Sequence, residues 1–451
     1  MALSEQEDEE LERQLLLINK PAVTTIHTEY GDIIDCVDFY KQPAFDHPLL
    51  KNHTFHYQMK PISVHRGTRD QVSSKSTEPV SLGLKGGGCP VGTVPIRRIT
   101  KGDLIRDRLA SKITSLEDNS PDTHYAVVRT RANSNKKFIG AGARISVEAP
   151  NDIEYRQYSA AKMKIQNGPD SIEVGWRPFP ISPCLPPSHR SNTGLILLVV
   201  PVLLNGEFVS DVLMSPSRSI PGWIVRCLTA LGVRDRWLVG VVWLEVDPSL
   251  YGDSLTRLFI RLDAGQSHCF NTRCPGFIIV RSDIPLDVAF DHVSYRGGPF
   301  FYLHAYIIRD QANGNWWLEV GLDNTQIGFW PSRLFTGLGD LANHLEWGGE
   351  AFGPPGTYTP PMGRNFFPSG AAVLDASIRQ ILALNEYGQT VDIDNLEEYS
   401  DNNNLYKVYD RGNFGEVPGG KESTQKGRLN LGHHNYQLCW GNSASTPVFK
   451  L

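Results

Sequence analysis

The chain of 451 residues is 40% hydrophobic and 21% charged, proportions that are ordinary for a globular protein with a buried core. Its 44 Lys and Arg residues and 49 Asp and Glu residues leave a net charge of −5. This balance excludes an overall basic field of the kind that attracts nucleic acid or anionic membranes. The length exceeds that of one average domain and predicts two or three units.

The first quarter of the chain mixes predicted helices with polar stretches. Residues 4–19 are predicted to be helical, because a capping box precedes apolar residues at helical spacing from Leu11 to Ile18. A second helix, rich in Arg and Leu, is predicted over residues 101–111. We expect residues 1–118 to form a separate and modestly packed unit.

The sequence gives opposed signals about localisation. Residues 1–10 are acidic and polar, without the basic start and the apolar core of a secretory signal peptide. Taken literally, this start predicts a cytosolic chain, unless the natural start lies upstream. Asn52 opens an Asn-His-Thr triplet, which matches the acceptor for N-glycosylation and would fit a secreted protein.

The pattern changes to short strands from residue 124 onward. Asn313 and Gly314 predict a hairpin with a type I′ turn, since both residue types tolerate positive φ. Many short strands with few helices between them predict an antiparallel sandwich or barrel. The predicted strands, rich in aromatic and β-branched residues, span 125–129, 142–147, 171–176, 257–262, 276–280, 300–308 and 316–320.

Residues 178–245 differ in composition from their surroundings. The block has no Lys, Gln or Tyr, and its apolar residues follow neither the period of a strand nor that of a helix. Its apolar run over 195–204 is too short to span a bilayer. We expect a long insertion.

Cys269 and Cys274 enclose four residues, with no second CxxC motif and no nearby His pair to complete a zinc site. This arrangement favours a tight disulfide loop, and a metal site stays the less favoured alternative.

Two Glu residues lie close to Gly and Trp in segments with β-like flanks. Glu173 belongs to the segment 172–176 (Ile-Glu-Val-Gly-Trp), and Glu350 closes the segment 347–350 (Trp-Gly-Gly-Glu). Bulky apolar rings would reduce the solvation of a carboxylate and raise its pKa. Two such groups facing each other would have unequal pKa values and could supply both an acid and a base. The alternative is that both are solvated turn residues.

Several segments resemble the neprosin-type glutamic peptidases of plants. Residues 30–39 and 88–98 are similar to the activation peptide that precedes the neprosin domain. Further motifs follow in the family's order, and on these the chain is identified as a member of the family. They lie at residues 173–176, 250–253, 256–259, 315–317, 328–331 and 347–350.

The resemblance implies a mainly β protein. A small mixed α/β pro-region over residues 1–118 would precede an antiparallel β-sandwich catalytic domain over 119–451. It implies a secreted endopeptidase zymogen that cleaves after proline in acid, without a cofactor or a metal. The catalytic pair would be Glu173 and Glu350, with water as the nucleophile.

The resemblance also suggests roles for other residues. Trp176 and Trp347 would form an apolar wall against a proline ring, unless they pack in the core. A disulfide between Cys269 and Cys274 is implied. Proline-containing peptides or proteins would be the substrates, and the pro-region would be an intramolecular partner, with no nucleic acid or membrane partner. Within the pro-region, the candidate second disulfide joins Cys36 and Cys89.

This chain departs from the family at the atypical block. Relatives run directly from the position of Arg177 to that of Val246, so the block 178–245 looks like a translated intron. Inserted next to the strand of Glu173, it could shift that strand out of register. The alternative function is a catalytically inactive β-sandwich that binds cell-wall carbohydrate or protein. The two functions differ in whether Glu173 and Glu350 approach each other in one cleft.

Overall fold

The computed structural model describes residues 5–62, 77–104, 123–131, 136–150, 153, 157–178, 202–204, 207–209, 255–265, 267–273, 275–353, 360–369, 374–391, 393, 396–413 and 436–442. Its elements are α1 (Glu5–Ile18), β1 (Ala22–His27), β2 (Ile33–Asp38), β3 (Thr77–Pro79), β4 (Thr93–Arg97), β5 (Thr123–Arg129), β6 (Phe138–Ser146), β7 (Tyr158–Asn167), β8 (Asp170–Pro178), β9 (Val202–Leu204), β10 (Glu207–Val209), β11 (Thr256–Ala264), β12 (Ser267–Phe270), β13 (Ile278–Ile279), β14 (Phe300–Arg309), β15 (Trp316–Val320), β16 (Thr325–Trp330), β17 (His344–Phe352), β18 (Ala376–Asn385), β19 (Glu397–Ser400), β20 (Tyr406–Asn413) and β21 (Tyr436–Asn442). Within these ranges, no helix has the length and apolar character needed to cross a membrane.

The N-terminal part of the chain combines the predicted helix with a small sheet. The strands β1, β2 and β4 form this sheet, and both of its pairs are antiparallel. Helix α1 packs Leu11 against Ile99 and Leu104, which explains its apolar stripe. A disulfide joins Cys36 in β2 to Cys89, so this candidate bridge is present.

Two large sheets pack against each other and enclose the core. One has seven strands in the order β12-β11-β8-β7-β17-β5-β19. The other has nine, in the order β13-β16-β15-β14-β6-β18-β21-β20, with β3 beside β14. Apart from the parallel pair of β3 and β14, the pairings between these strands are antiparallel, which confirms the predicted β-sandwich. The core contains Trp176 and Trp347 from the first sheet and Ile145 and Leu303 from the second.

The predicted strands form; β15 has the predicted ends 316–320, and the others differ at one or both ends. The shortest is β13, which covers two residues of the predicted 276–280. The predicted second helix is helical over 101–104, and the rest of it lies outside the described residues. Strand β7 was not predicted, because it contains Ala and Lys, which have a weak preference for strands.

The hairpin at Asn313 and Gly314 forms with a longer turn than the sequence predicts. Arg309 at the end of β14 pairs with Trp316 at the start of β15. Gly314 has a φ of +77°, whereas Asn313 is not in the positive-φ region. The carboxylate of Asp310 accepts a hydrogen bond from Asn313 at 2.7 Å, and its carbonyl accepts one from the Gly314 N–H. These bonds stabilise a wider loop instead of the two-residue type I′ turn.

The atypical block 178–245 connects the neighbouring ends of two paired strands. Strand β8 ends at Pro178 and pairs with β11, which begins at Thr256, without a register shift over its whole paired length. The change of register that the inserted block could have caused is therefore absent in these strands. Inside the block, β9 and β10 form a short antiparallel hairpin, and its other residues from 179 onward lie outside the described ranges.

Candidate active site

Three neighbouring strands bring the predicted glutamates to one face of the seven-stranded sheet. Glu173 lies on β8 and Glu350 on β17, and β7 runs between them. In the register of the sheet, Lys162 of β7 stands opposite Gly175 on one side and Gly348 on the other. Because alternate side chains of a strand share a face, Glu173, Lys162 and Glu350 all point away from the core, in a diagonal line.

Lys162 binds both glutamates. Its Nζ donates a hydrogen bond of 2.9 Å to Glu173 Oε1 and a second one to Glu350 Oε2. All three residues are buried, with exposures of 2% for Glu173, 3% for Lys162 and 6% for Glu350. The two bonded oxygens therefore lie within about 6 Å of each other, twice the length of a hydrogen bond.

The glycines of the two motifs allow the strands to approach closely around Lys162. A Cβ on Gly175 would lie 2.0 Å from the carbonyl oxygen of Ala161. Gly348 has a φ of +153°, and a Cβ there would lie 2.6 Å from the Cα of Val127. Neither position accepts a side chain, so Lys162 and the two carboxylates extend over bare backbone.

The charge state of Glu350 differs from the sequence-based expectation. Burial favours its protonated form, but the positive charges of Lys162 and Arg261 outweigh burial and lower its pKa to about 2. Burial also disfavours the charged form of Lys162, whereas Glu173 and Glu350 together raise the pKa of this ammonium. The expected raised pKa is thus wrong for Glu350, because it assumed apolar neighbours and the residue has cationic ones.

Trp176 and Trp347 pack in the core on the opposite face of the sheet. Each lies three residues from its glutamate, and an odd spacing places two strand residues on opposite faces. Both have an exposure of 0%, and Trp176 Nε1 donates a 2.7 Å hydrogen bond to the carbonyl of Ser146 in β6. Their position matches the core-packing alternative and separates them from the face of Glu173.

Aromatic and basic side chains that the sequence did not single out surround the pair. The hydroxyl of Tyr158 donates to Glu350 Oε1 at 2.5 Å, and the guanidinium of Arg177 lies 3.6 Å from the centre of the Tyr158 ring. Arg261 of β11 stands directly opposite Glu173. In β7, Lys162 lies between Ala161 and Met163. This alternation of apolar and charged residues was the sequence signal for a strand with lysine on its polar face.

The remaining predicted site residues are only partly described. Cys269 on β12 is disulfide-bonded, and Cys274 lies outside the described residues, so their pairing stays a prediction. Asn52 is exposed, as a glycosylated asparagine must be, and its modification also stays a prediction.

A buried group of charges joins the N-terminal unit to the β-sandwich; we call it the Arg97 cluster. Arg97 of β4 contacts Asp32 at 3.0 Å, Asp103 at 3.2 Å and Asp287 at 3.1 Å. Arg257 of β11 contacts Asp32 at 2.7 Å. Asp32, Arg97 and Asp103 belong to the N-terminal unit, whereas Arg257 and Asp287 belong to the sandwich. Ion pairs of the cluster therefore join the two parts of the chain.

The Arg97 cluster adjoins the face that carries the glutamates. Arg257 stands opposite Arg177 in the sheet. It lies on the same face of the sheet as Arg261, four residues further along β11. The N-terminal unit also contacts the edge of the other sheet, where the side-chain amide of Gln42 binds the backbone N–H of Ile279 at 2.8 Å and its carbonyl at 3.2 Å.

Comparison with known families agrees with this architecture. The model of the Neprosin family matches residues 238–422, and the model of the Neprosin activation peptide matches residues 25–139. Glu350 lies inside the first match, whereas Glu173 lies between the two. The first match begins near the end of the atypical block, as expected if the block interrupts the domain. The chain therefore belongs to the neprosin family and carries the family's activation peptide ahead of its β-sandwich.

Proposed function

We propose that the chain is the zymogen of a glutamic endopeptidase that hydrolyses peptide bonds after proline at acid pH, with Glu173 and Glu350 as its catalytic pair. Family membership implies a prolyl endopeptidase zymogen. The observation that carries the proposal for the pair is their binding to one buried ammonium from two strands that are not adjacent. Carboxylates that pointed to solvent or lay on different sheets would favour the binding-module alternative.

We assign the base to Glu350 and the acid to Glu173. Glu350, the carboxyl with the lowered pKa, takes a proton from water while the water oxygen bonds to the scissile carbonyl carbon. Protonated Glu173 donates its proton to the carbonyl oxygen, which forms a neutral tetrahedral diol. When the C–N bond breaks, the amine nitrogen takes the proton held by Glu350, and one diol hydroxyl returns a proton to Glu173. Both residues then regain their starting states.

The N-terminal unit would restrain the zymogen through the Arg97 cluster. Its ion pairs need ionised carboxylates, and the ordinary pKa of Asp is about 3.9. Loss of negative charge from this cluster in acid would leave the buried guanidinium of Arg97 without full compensation. Such a loss is strongly destabilising for a buried pair. The interface would therefore weaken under the conditions in which the catalytic pair works.

We also propose a secreted location. Family membership and the disulfide between Cys36 and Cys89 are consistent with secretion, because disulfides persist in oxidising compartments. The exposed Asn52 would then be open to glycosylation, which treatment with an N-glycosidase would reveal as a loss of mass.

The test is cleavage of a proline-containing peptide, followed by mass spectrometry at about pH 4, close to the ordinary pKa of Glu. We expect cuts after proline, together with self-cleavage that releases the N-terminal unit. Glu173→Gln and Glu350→Gln should each slow both reactions about 1,000-fold. The matched control is Glu319→Gln, which alters a buried glutamate of β15 on the other sheet. Full activity of both site variants would overturn the assignment, and a folded but inactive parent chain would favour the binding module.

A further inference from the structure

We propose that Lys162 is a positioning residue for Glu173 and Glu350. Its ammonium supplies the positive charge that a proton shared between the two carboxylates would otherwise supply. It thereby sets the highest pH at which the pair is active. The part concerning activity rests on the proposed function. The part concerning charge rests on the geometry of the three residues alone.

The geometry makes Lys162 the bridge of the site. Its buried ammonium donates hydrogen bonds to both carboxylates. Lys164, two residues along β7 and on the same face, is 3.9 Å from Glu173 and its side chain keeps 23% of its exposure. Screening by water weakens an ion pair of this kind. A buried ammonium at hydrogen-bond distance has the stronger effect on the carboxylates.

Charge balance then determines when the pair binds a proton. Two nearby carboxylates repel each other, so an isolated pair retains one proton well above the ordinary pKa of Glu. One shared proton leaves such a pair with a charge of about −1, and an ammonium leaves the ionised pair with the same charge. With Lys162 present, the proton that the acid must carry therefore binds only at a lower pH.

The other groups that face Glu350 do not remove this effect. Arg261 adds a second positive charge from β11, while Tyr125 on β5 and Tyr158 on β7 are neutral partners. Glu346, on the same strand, adds a negative charge, and burial raises its pKa. Lys162 donates hydrogen bonds to both members of the pair.

The activity arm of the test compares the alkaline limb of the pH profile after acid activation. Lys162→Gln is expected to move the pH of half-maximal activity upward by about one unit or more, since the pair then retains its proton to a higher pH. Lys162→Arg keeps the charge and is expected to leave the limb near its original position. Lys164→Gln should give a smaller upward shift. An unmoved alkaline limb in Lys162→Gln would overturn the proposal.

The second arm needs no peptidase activity and so separates this proposal from the proposed function. Thermal unfolding is measured from about pH 5 to 8, around and above the ordinary pKa of Glu. In Lys162→Gln the folded pair holds a proton with a raised pKa, so the variant should lose stability as the pH rises. In Lys162→Gln/Glu350→Gln only one carboxyl of the pair is left, and the dependence on pH should be smaller.

The double variant also covers the case in which Lys162→Gln does not fold. Removal of the second carboxyl relieves the repulsion, so Lys162→Gln/Glu350→Gln should fold and melt at a higher temperature than Lys162→Gln at about pH 7. A double variant that is no more stable than the single one would contradict the role of Lys162.

Discussion

Glu350 is buried and yet holds its charge. Burial alone would raise its pKa, but Lys162 and Arg261 lower it from the ordinary 4.5 to about 2. A carboxyl whose pKa is depressed by folding stabilises the protein above its unfolded pKa, and this contribution disappears as the pH falls through the folded value. For Glu350 the loss extends from about pH 4.5 to about pH 2.

This window leads to a prediction for Glu350→Gln. Above about pH 4.5 the variant should melt at a lower temperature than the parent chain, and the difference should shrink toward pH 2. Thermal unfolding followed by circular dichroism across this range provides the measurement. The comparison variant is Glu346→Gln, because burial raises the pKa of Glu346 and its contribution should instead be lost as the pH rises. A constant difference for Glu350→Gln would contradict the assigned charge.

Gly348 gives a second prediction at the scale of one residue. Gly348→Ala combines an unfavourable φ of +153° with a Cβ that would lie 2.3 Å from the carbonyl oxygen of Ala126. We expect a loss of about 3 kcal/mol in the free energy of unfolding, measured by urea denaturation. Gly321→Ala is the matched control, since φ is +76° there and no atom lies within 4 Å of the added Cβ. It should cost about 1 kcal/mol, and equal losses would show that strand approach is unimportant.

At the scale of elements, the pairing of β8 with β11 predicts that the atypical block is dispensable for folding. Deletion of residues 178–245 would join Arg177 to Val246 and shorten the connection about eightfold. Three halvings of a flexible connection amount to about 2 kcal/mol of closure free energy, so the shortened chain should be more stable by up to that amount. Urea denaturation measures the change, and an unfolded deletion variant would contradict the prediction.

The sequence predicts the positions of strands better than it predicts which strands pair. The aromatic and β-branched runs identified β11, β14 and β15, since these residues fit a half-buried pleated surface. Strand β7 was missed despite its central place in the sheet, because Ala and Lys have a weak preference for strands. Strand β8 follows β7 directly along the chain, but the other partner, β17, is distant in sequence, so no local pattern shows which residue would stand between the glutamates.

For the same reason, only part of the candidate site could be predicted. Glu173 and Glu350 could be named from their motifs, and the spacing of three residues to Trp176 and Trp347 already places each pair on opposite faces of a strand. The contact of Lys162 with both glutamates depends on the register of β17, a strand distant in sequence, against the consecutive strands β7 and β8. The lowered pKa of Glu350 depends on that contact, and therefore no sequence pattern indicated it.

At the scale of the whole molecule, the Arg97 cluster should control release of the N-terminal unit. Arg97→Gln removes the guanidinium that contacts Asp32, Asp103 and Asp287, and leaves these buried carboxylates with the contacts of Arg257 and Arg273. Loss of one partner in a buried ion pair costs about 3–5 kcal/mol, so self-cleavage should begin at a higher pH than in the parent chain. Gel electrophoresis after incubation at a series of pH values measures the conversion.

The control for this prediction is an exposed ion pair in the same unit. Lys85 contacts Glu29 with side chains that keep 76% and 49% of their exposure, and such pairs contribute little to stability. Lys85→Gln should therefore convert at the same pH as the parent chain. If Arg97→Gln also converts at that pH, the Arg97 cluster does not restrain the zymogen.

A double-mutant comparison of Glu173 and Glu350 tests directly whether the two residues form one catalytic site. Hydrolysis of one proline-containing peptide is measured at about pH 4 for the parent chain, Glu173→Gln, Glu350→Gln and the variant with both changes. If the two carboxylates act as one unit, each single change should reduce kcat/KM about 1,000-fold, and the double change should cost little more than either one. Single variants with near-parental activity, or losses that multiply in the double variant, would contradict a shared catalytic site.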